Sequence, residues 1–173
     1  MNKNAALLGL VAVAFAGIGL FIGYRHTEPT STTPAAVNKL FAQTMNDTSG
    51  KPQQLSQWQG RSLIVNFWAT WCAPCVQEMP ELSALQTEIQ SKQIQILGIG
   101  IDSPSNIAEF AAKYKITYPI YNGGMEGTAL SHDLGNQAGG LPFTVVIGRD
   151  GQIKKTFLGR LKMDELRKEI ASL

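Results

Sequence analysis

The chain has two cysteines, Cys72 and Cys75, and they stand at a joint between two kinds of structure. Ahead of them, Leu63-Ile-Val-Asn-Phe-Trp68 is a run of mostly β-forming side chains that reads as a buried strand. Behind them, residues 73–90 read as a helix, with Leu82, Leu85 and Ile89 at spacings of three and four. The pair therefore opens a helix at the end of a strand. Unpaired backbone N–H groups and the helix dipole favour negative charge there, which stabilises a thiolate at Cys72. Cys75 follows one turn later on the inner side and reaches back to the Cys72 sulfur, so the spacing permits a reversible disulfide. Pro74 suits the first helical turn, where its missing N–H costs little.

Other uses of the pair fit less well. A structural zinc site needs four ligands, and beyond the two cysteines the chain offers only His26 and His132. A peroxidatic cysteine stands singly and needs no second one at this spacing. A redox-active dithiol uses both residues. Nucleic acid is disfavoured as a partner: from residue 40 onward, twelve Lys/Arg balance twelve Asp/Glu, leaving no polyanion-binding field. The composition, 44% apolar with a net charge of +2, is not that of a disordered chain. A length of 173 residues suits one ordinary domain with a tail or anchor.

The remaining pattern is strand, helix, strand, helix, hairpin, helix. Leu40–Met45 alternates apolar and polar and reads as a first strand, with Asn46–Lys51 as its turn. Residues 94–101 read as a second buried strand, and Ser105–Tyr114 and Glu126–Leu134 as helices. Phe143–Ile147 and Gln152–Leu158 form a hairpin through Arg149-Asp150-Gly151, and Lys162–Leu173 closes the chain as an amphipathic helix. This order predicts an α/β domain: a central mixed sheet flanked by helices on both faces, with an N-terminal strand extension.

Residues 5–23 form an uncharged apolar run of 19, about 28 Å long as a helix and close to the hydrocarbon thickness of a bilayer. Residues 1–25 read as an uncleaved membrane anchor, against the alternative of a signal peptide cut near Ala14-Phe15-Ala16. Residues 26–39, with four Thr and two Pro, read as a linker, and residues 40–173 as the folded domain.

The stretch Phe67-Trp-Ala-Thr-Trp-Cys-Ala-Pro-Cys-Val-Gln-Glu-Met-Pro-Glu-Leu82 resembles the active-site signature of membrane-anchored, thioredoxin-like thiol-disulfide oxidoreductases of the TlpA/ResA type. The resemblance runs from about residue 40 to residue 173. It implies a thioredoxin fold facing the periplasm, held to the inner membrane by a single span. It implies Cys72 as attacking thiol, Cys75 as resolving thiol and a Cys72–Cys75 redox disulfide. Pro142 matches the family's cis-proline beside the dithiol, and the Leu141 backbone would pair with the substrate chain. Trp71, Ala73 and Pro74 would form the docking surface around the pair. Glu78 matches an acid of the reductase branch; three residues after Cys75 it shares that cysteine's helix face, although an acid near a helix start is also favourable electrostatically. Three departures bear on partner identity: Phe143 where Thr is usual, Gly148 where Asp is common, and Asn136 for an apolar residue. Phe143 and the loop from Asn122 to Gly127 are expected near the partner surface.

The resemblance implies reduction of protein disulfides, for example in cytochrome c maturation or copper-site assembly, with electrons from a membrane thiol donor and no cofactor. A thiol oxidase of the same fold and a copper-delivery protein using the two thiolates and His132 are the alternatives. The Ala73-Pro74 dipeptide does not fix the direction of electron flow.

Overall fold

The alternation of side chains along a strand decides the layers of this molecule. In the computed structural model, which describes residues 34–171 and 173, β3 (Ser62–Trp68) is buried along its whole length. Ile64 and Trp68 pack on one face, and Leu63, Val65 and Phe67 on the other. A strand buried on both faces needs a cover on each side. The first cover is α2 (Ala73–Ile89), α3 (Pro104–Lys113) and α5 (Met163–Ile170), through Met79, Leu82, Phe110 and Leu166. The second is α1 (Pro34–Ala42) and α4 (Gly124–Asp133), through Val37, Leu40 and Leu130.

The sheet has seven strands in the order β2-β1-β5-β4-β3-β6-β7. β4 is Ile94–Gly100, and it lies parallel to β3 and to β5 (Ile120–Asn122). β6 (Phe143–Ile147) runs antiparallel to β3, and β7 (Ile153–Leu158) antiparallel to β6. On the other side, β1 (Thr44–Asp47) is antiparallel to both β5 and β2 (Pro52–Gln54). The ends of β3, β4, β5 and β7 and the start of β6 thus meet at one edge of the sheet, where the cysteines lie.

The amino-terminal boundary differs from expectation. Residues 34–39 are not linker but helix, and Leu40–Ala42 continue that helix rather than beginning a strand. Ala36, Val37 and Leu40 repeat at helical spacing, and their burial against the sheet outweighs the local alternation. The strand starts only at Thr44. The expected anchor, 5–23, and residues 26–33 of the expected linker lie outside the described residues. Among the described residues, no helix is long and apolar enough to cross a membrane. β5 and β2, at three residues each, are too short to show periodicity; pairing with their neighbours makes them strands.

Candidate active site

The end of β3 sets the position of the dithiol. The Trp68 carbonyl accepts from Ile101 N–H at 2.7 Å, tying the end of β3 to the end of β4. The turn that follows is clamped by Asp102, whose Oδ2 accepts both the Thr70 N–H and the Thr70 hydroxyl. Burial raises the Asp102 pKa, but hydrogen bonds from Thr70, Asn106 and Ser103 outweigh it and hold the carboxyl below its usual range. Chain direction then passes to α2 through Cys72, the N-cap, whose sulfur accepts from Cys75 N–H at 3.4 Å. The helix start predicted from Pro74 and the cysteine spacing is the one observed.

Cys72 and Cys75 are joined in a disulfide, with S–S 2.07 Å and Cα–Cα 5.3 Å. Cys72 is 6% exposed and Cys75 fully buried, so the outer sulfur is the one a partner meets first. Trp71 stands 70% exposed beside it, with Ala73 exposed and Pro74 half-buried. The Leu141–Pro142 peptide is cis. Pro142 lies one residue before the Phe67–Phe143 pairing, which brings its loop to the end of β3. Asn136 Nδ2 holds the Gly140 carbonyl at 2.9 Å, and Gly159 N–H donates to the Pro142 carbonyl at 2.8 Å. The N–H and C=O of Leu141 itself have no hydrogen-bond partner among the described residues.

Glu78 is completely buried. Its Oε1 accepts from Asn66 Nδ2 at 2.8 Å and its Oε2 from Leu161 N–H at 2.8 Å. Asn66 also donates to Thr144 Oγ1 at 3.0 Å, its direct neighbour across β3 and β6. None of these contacts belongs to a helix start, so the reading of Glu78 as an ordinary first-turn acid does not describe it. Burial pushes its pKa up from 4.5 to about 7, against the opposing pull of its two hydrogen bonds and of Arg160. Near neutral pH this carboxyl both holds and releases a proton, on the buried helix flank that Cys75 shares.

Sequence pattern alone does not mark Asn66, Thr144 or the Leu161 N–H as partners of Glu78. The available signal was one amide interrupting the apolar run Leu63–Trp68. Phe143 is not on the partner surface: it is 2% exposed and packs against Phe67 with ring centroids 6.1 Å apart. In the segment from Asn122 to Gly127, Asn122 ends β5 and Gly124 begins α4, whose second residue, Met125, is 90% exposed. His132 lies exposed near the end of α4, the helix that covers the face opposite α2, and is not brought to the dithiol.

A profile of the family Redoxin matches residues 29–171. The thiol-disulfide oxidoreductase ResA of Geobacillus thermodenitrificans is 26% identical over 165 residues, covering 95% of this chain and 91% of that one. The thioredoxin-like protein YneN of Bacillus subtilis is 25% identical over 170 residues, covering 96% and 95%. Among solved structures, a secreted Mycobacterium tuberculosis disulfide oxidoreductase homologous to E. coli DsbE shares the fold with TM-score 0.66 at 22% identity, over 79% of this chain and 99% of that one. The chain belongs to the redoxin family and is a thioredoxin-like thiol-disulfide oxidoreductase of the TlpA/ResA type.

Proposed function

We propose that the protein works outside the cytoplasm, held to the inner membrane by residues 5–23, as a reductase of disulfides in protein partners. The observation that carries the direction is the buried Glu78 carboxyl behind the dithiol. A carboxylate in a dry site opposes a neighbouring thiolate. Stabilised thiolates make a dithiol oxidising, so a site that disfavours them makes it reducing.

The chemistry runs in two exchanges. The Cys72 thiolate attacks one sulfur of the partner's disulfide; that S–S bond breaks, a mixed disulfide forms and one partner thiolate leaves. Cys75 gives its proton to the Glu78 carboxylate and attacks the Cys72 sulfur, breaking the mixed disulfide. The second partner thiolate leaves and takes up a proton, supplied from Glu78. The partner gains two electrons and the Cys72–Cys75 pair loses two. Thiol exchange with a membrane dithiol donor restores the reduced pair. The unpaired N–H and C=O of Leu141 offer backbone hydrogen bonds to an extended partner segment, as in strand addition. Trp71, Ala73 and Pro74 frame the same approach. Apocytochrome c and copper-site proteins before metal insertion are the partner classes this reading favours.

Cys75→Ser removes the resolving thiol and is expected to capture partners as mixed disulfides in cells. In cells lacking the protein, those captured partners are expected to accumulate in the disulfide form. Accumulation in the dithiol form would overturn the direction and assign an oxidase.

A further inference from the structure

The chain reaches the cis-proline loop from the end of α4, and the way that helix stops decides where one buried amide lies. Gly135 N–H donates to the His132 carbonyl and Asn136 N–H to the Ser131 carbonyl, both at 3.0 Å, with Gly135 at φ 114°. In this kind of glycine stop, the residue after the glycine folds back over the last helical turn, commonly with an apolar side chain. Here that residue is Asn136, and it is 3% exposed. A buried amide costs free energy unless its polar atoms are bonded. Asn136 Nδ2 donates to the Gly140 carbonyl at 2.9 Å, and the Asn136 carbonyl accepts from Gly139 N–H at 3.1 Å. One residue thus ties the turn leading to Gly140 through both its side chain and its backbone.

The Gly140 carbonyl and the Leu141 N–H belong to the same peptide unit. Among the described residues only the next bond, Leu141–Pro142, is cis. A trans peptide is planar and sets its C=O and N–H in opposite directions. With the carbonyl drawn in to the buried Asn136 amide, the Leu141 N–H is turned away from it, and that N–H has no partner among the described residues. Gly140 also abuts Leu158: a Cβ added at Gly140 would lie 3.2 Å from Leu158 Cδ1. Beyond the proline, Gly159 N–H holds the Pro142 carbonyl. The loop is therefore pinned at Gly140 and at Pro142, and the Leu141 groups between the pins stay open.

We propose that Asn136 is a positioning residue for partner binding: by fixing the plane of the Gly140–Leu141 peptide, it aims the Leu141 N–H at a backbone carbonyl of the partner. The inference rests on the proposed pairing of Leu141 with an extended partner segment. The substrate class it favours is a disulfide carried in an extended peptide chain, over a disulfide with no peptide carbonyl beside it. Without the Asn136 amide, the peptide plane is free to turn and must be oriented at each encounter. Binding of the chain then weakens, while the exchange between sulfurs is unaltered.

The test uses the full chain, reduced, in single-turnover reduction of three disulfides. One is a peptide disulfide. The second is the same peptide with backbone esters in place of the amides on either side of its cysteine, which removes N–H groups and weakens the carbonyls as acceptors. The third is bis(2-hydroxyethyl) disulfide, which has no peptide group. Asn136→Leu keeps the branched shape, removes the donor and places at this helix stop the apolar kind of residue common there. It is expected to raise the half-saturating concentration for the amide peptide about fivefold, with the limiting rate unchanged. The rate with bis(2-hydroxyethyl) disulfide is expected to stay at the wild-type value. Asn136→Ala, which removes the same donor without filling its space, is expected to give the same split. An unchanged half-saturation for the amide peptide, or equal losses on the peptide and on bis(2-hydroxyethyl) disulfide, would overturn the proposal; equal losses would leave Asn136 as a support of the loop alone. A wild type that reduces the ester and amide peptides equally well would remove the Leu141 pairing, and the role of Asn136 with it. A wild type that prefers the amide peptide, with variants that keep the whole of that preference, would overturn the role of Asn136 and leave the pairing standing.

Discussion

Glu78 makes this protein's stability depend on pH in a direction opposite to that of most carboxylates. Its pKa in the folded state, about 7, lies above the ordinary 4.5, so between those values the folded chain binds the proton more tightly than the unfolded one. Stability from this group is therefore complete below pH 4.5 and is lost as pH rises through 7. The loss is on the order of 3 kcal/mol. Asp47, held down near pKa 2 by hydrogen bonds from Ser49 and Gln53, acts in a separate, acidic window. Denaturant unfolding of the disulfide form is expected to give lower stability at pH 8 than at pH 5, and Glu78→Gln is expected to flatten that slope; equal slopes would show that Glu78 is ionised throughout. In the reduced protein, Glu78→Gln is expected to lower the apparent thiol pKa and slow turnover of a model disulfide. Superimposable alkylation profiles would separate Glu78 from the dithiol. The cysteines themselves are expected to differ: Cys72, the more exposed, reacts first with an alkylating agent, and Cys72→Ser abolishes exchange. Equal alkylation rates would contradict these assignments.

At the scale of elements, α1 carries more weight than a linker would. Leu40 is fully buried in the cluster that α1 and α4 share with Val65, Phe67 and Phe143. Leu40→Ala is expected to cost about 2–5 kcal/mol, as for other buried leucines, while the exposed Asn38→Ala stays within roughly 0.5 kcal/mol. Urea unfolding measures both; a neutral Leu40→Ala would mean that α1 docks only loosely. The same cluster lies directly beneath the strands that deliver the site, since Phe67 pairs with Phe143 at the edge carrying Cys72 and Pro142. The joint between β3 and α2 is the element most fully visible beforehand. A β-forming run, two cysteines and Pro74 specify strand, cap and first turn by local chemistry alone. β2 and β5 show the reverse case, strands whose identity comes from their neighbours.

For the whole molecule, the proposed placement predicts that protease added to intact spheroplasts digests residues 40–173, whereas digestion confined to inside-out vesicles would contradict both the location and the electron supply. The order of elements, the helix opened by Cys72 and the closing hairpin were readable from the chain because each rests on short-range rules: periodicity, capping and turn composition. The pairing of Cys72 with Cys75 needed only their spacing. What no local rule contained was the company each buried group keeps. Leu40 became helical because a sheet face needed cover. Phe143 turned inward because β6 pairs with β3 in one register. Asn66, an amide within an apolar strand, acquired its purpose only when β6 brought Thr144 beside it and α2 lowered Glu78 onto it. The residue types and the position of the redox pair were set along the chain; the carboxyl's proton affinity was set across it, because desolvation and hydrogen-bond partners exist only after distant segments have packed.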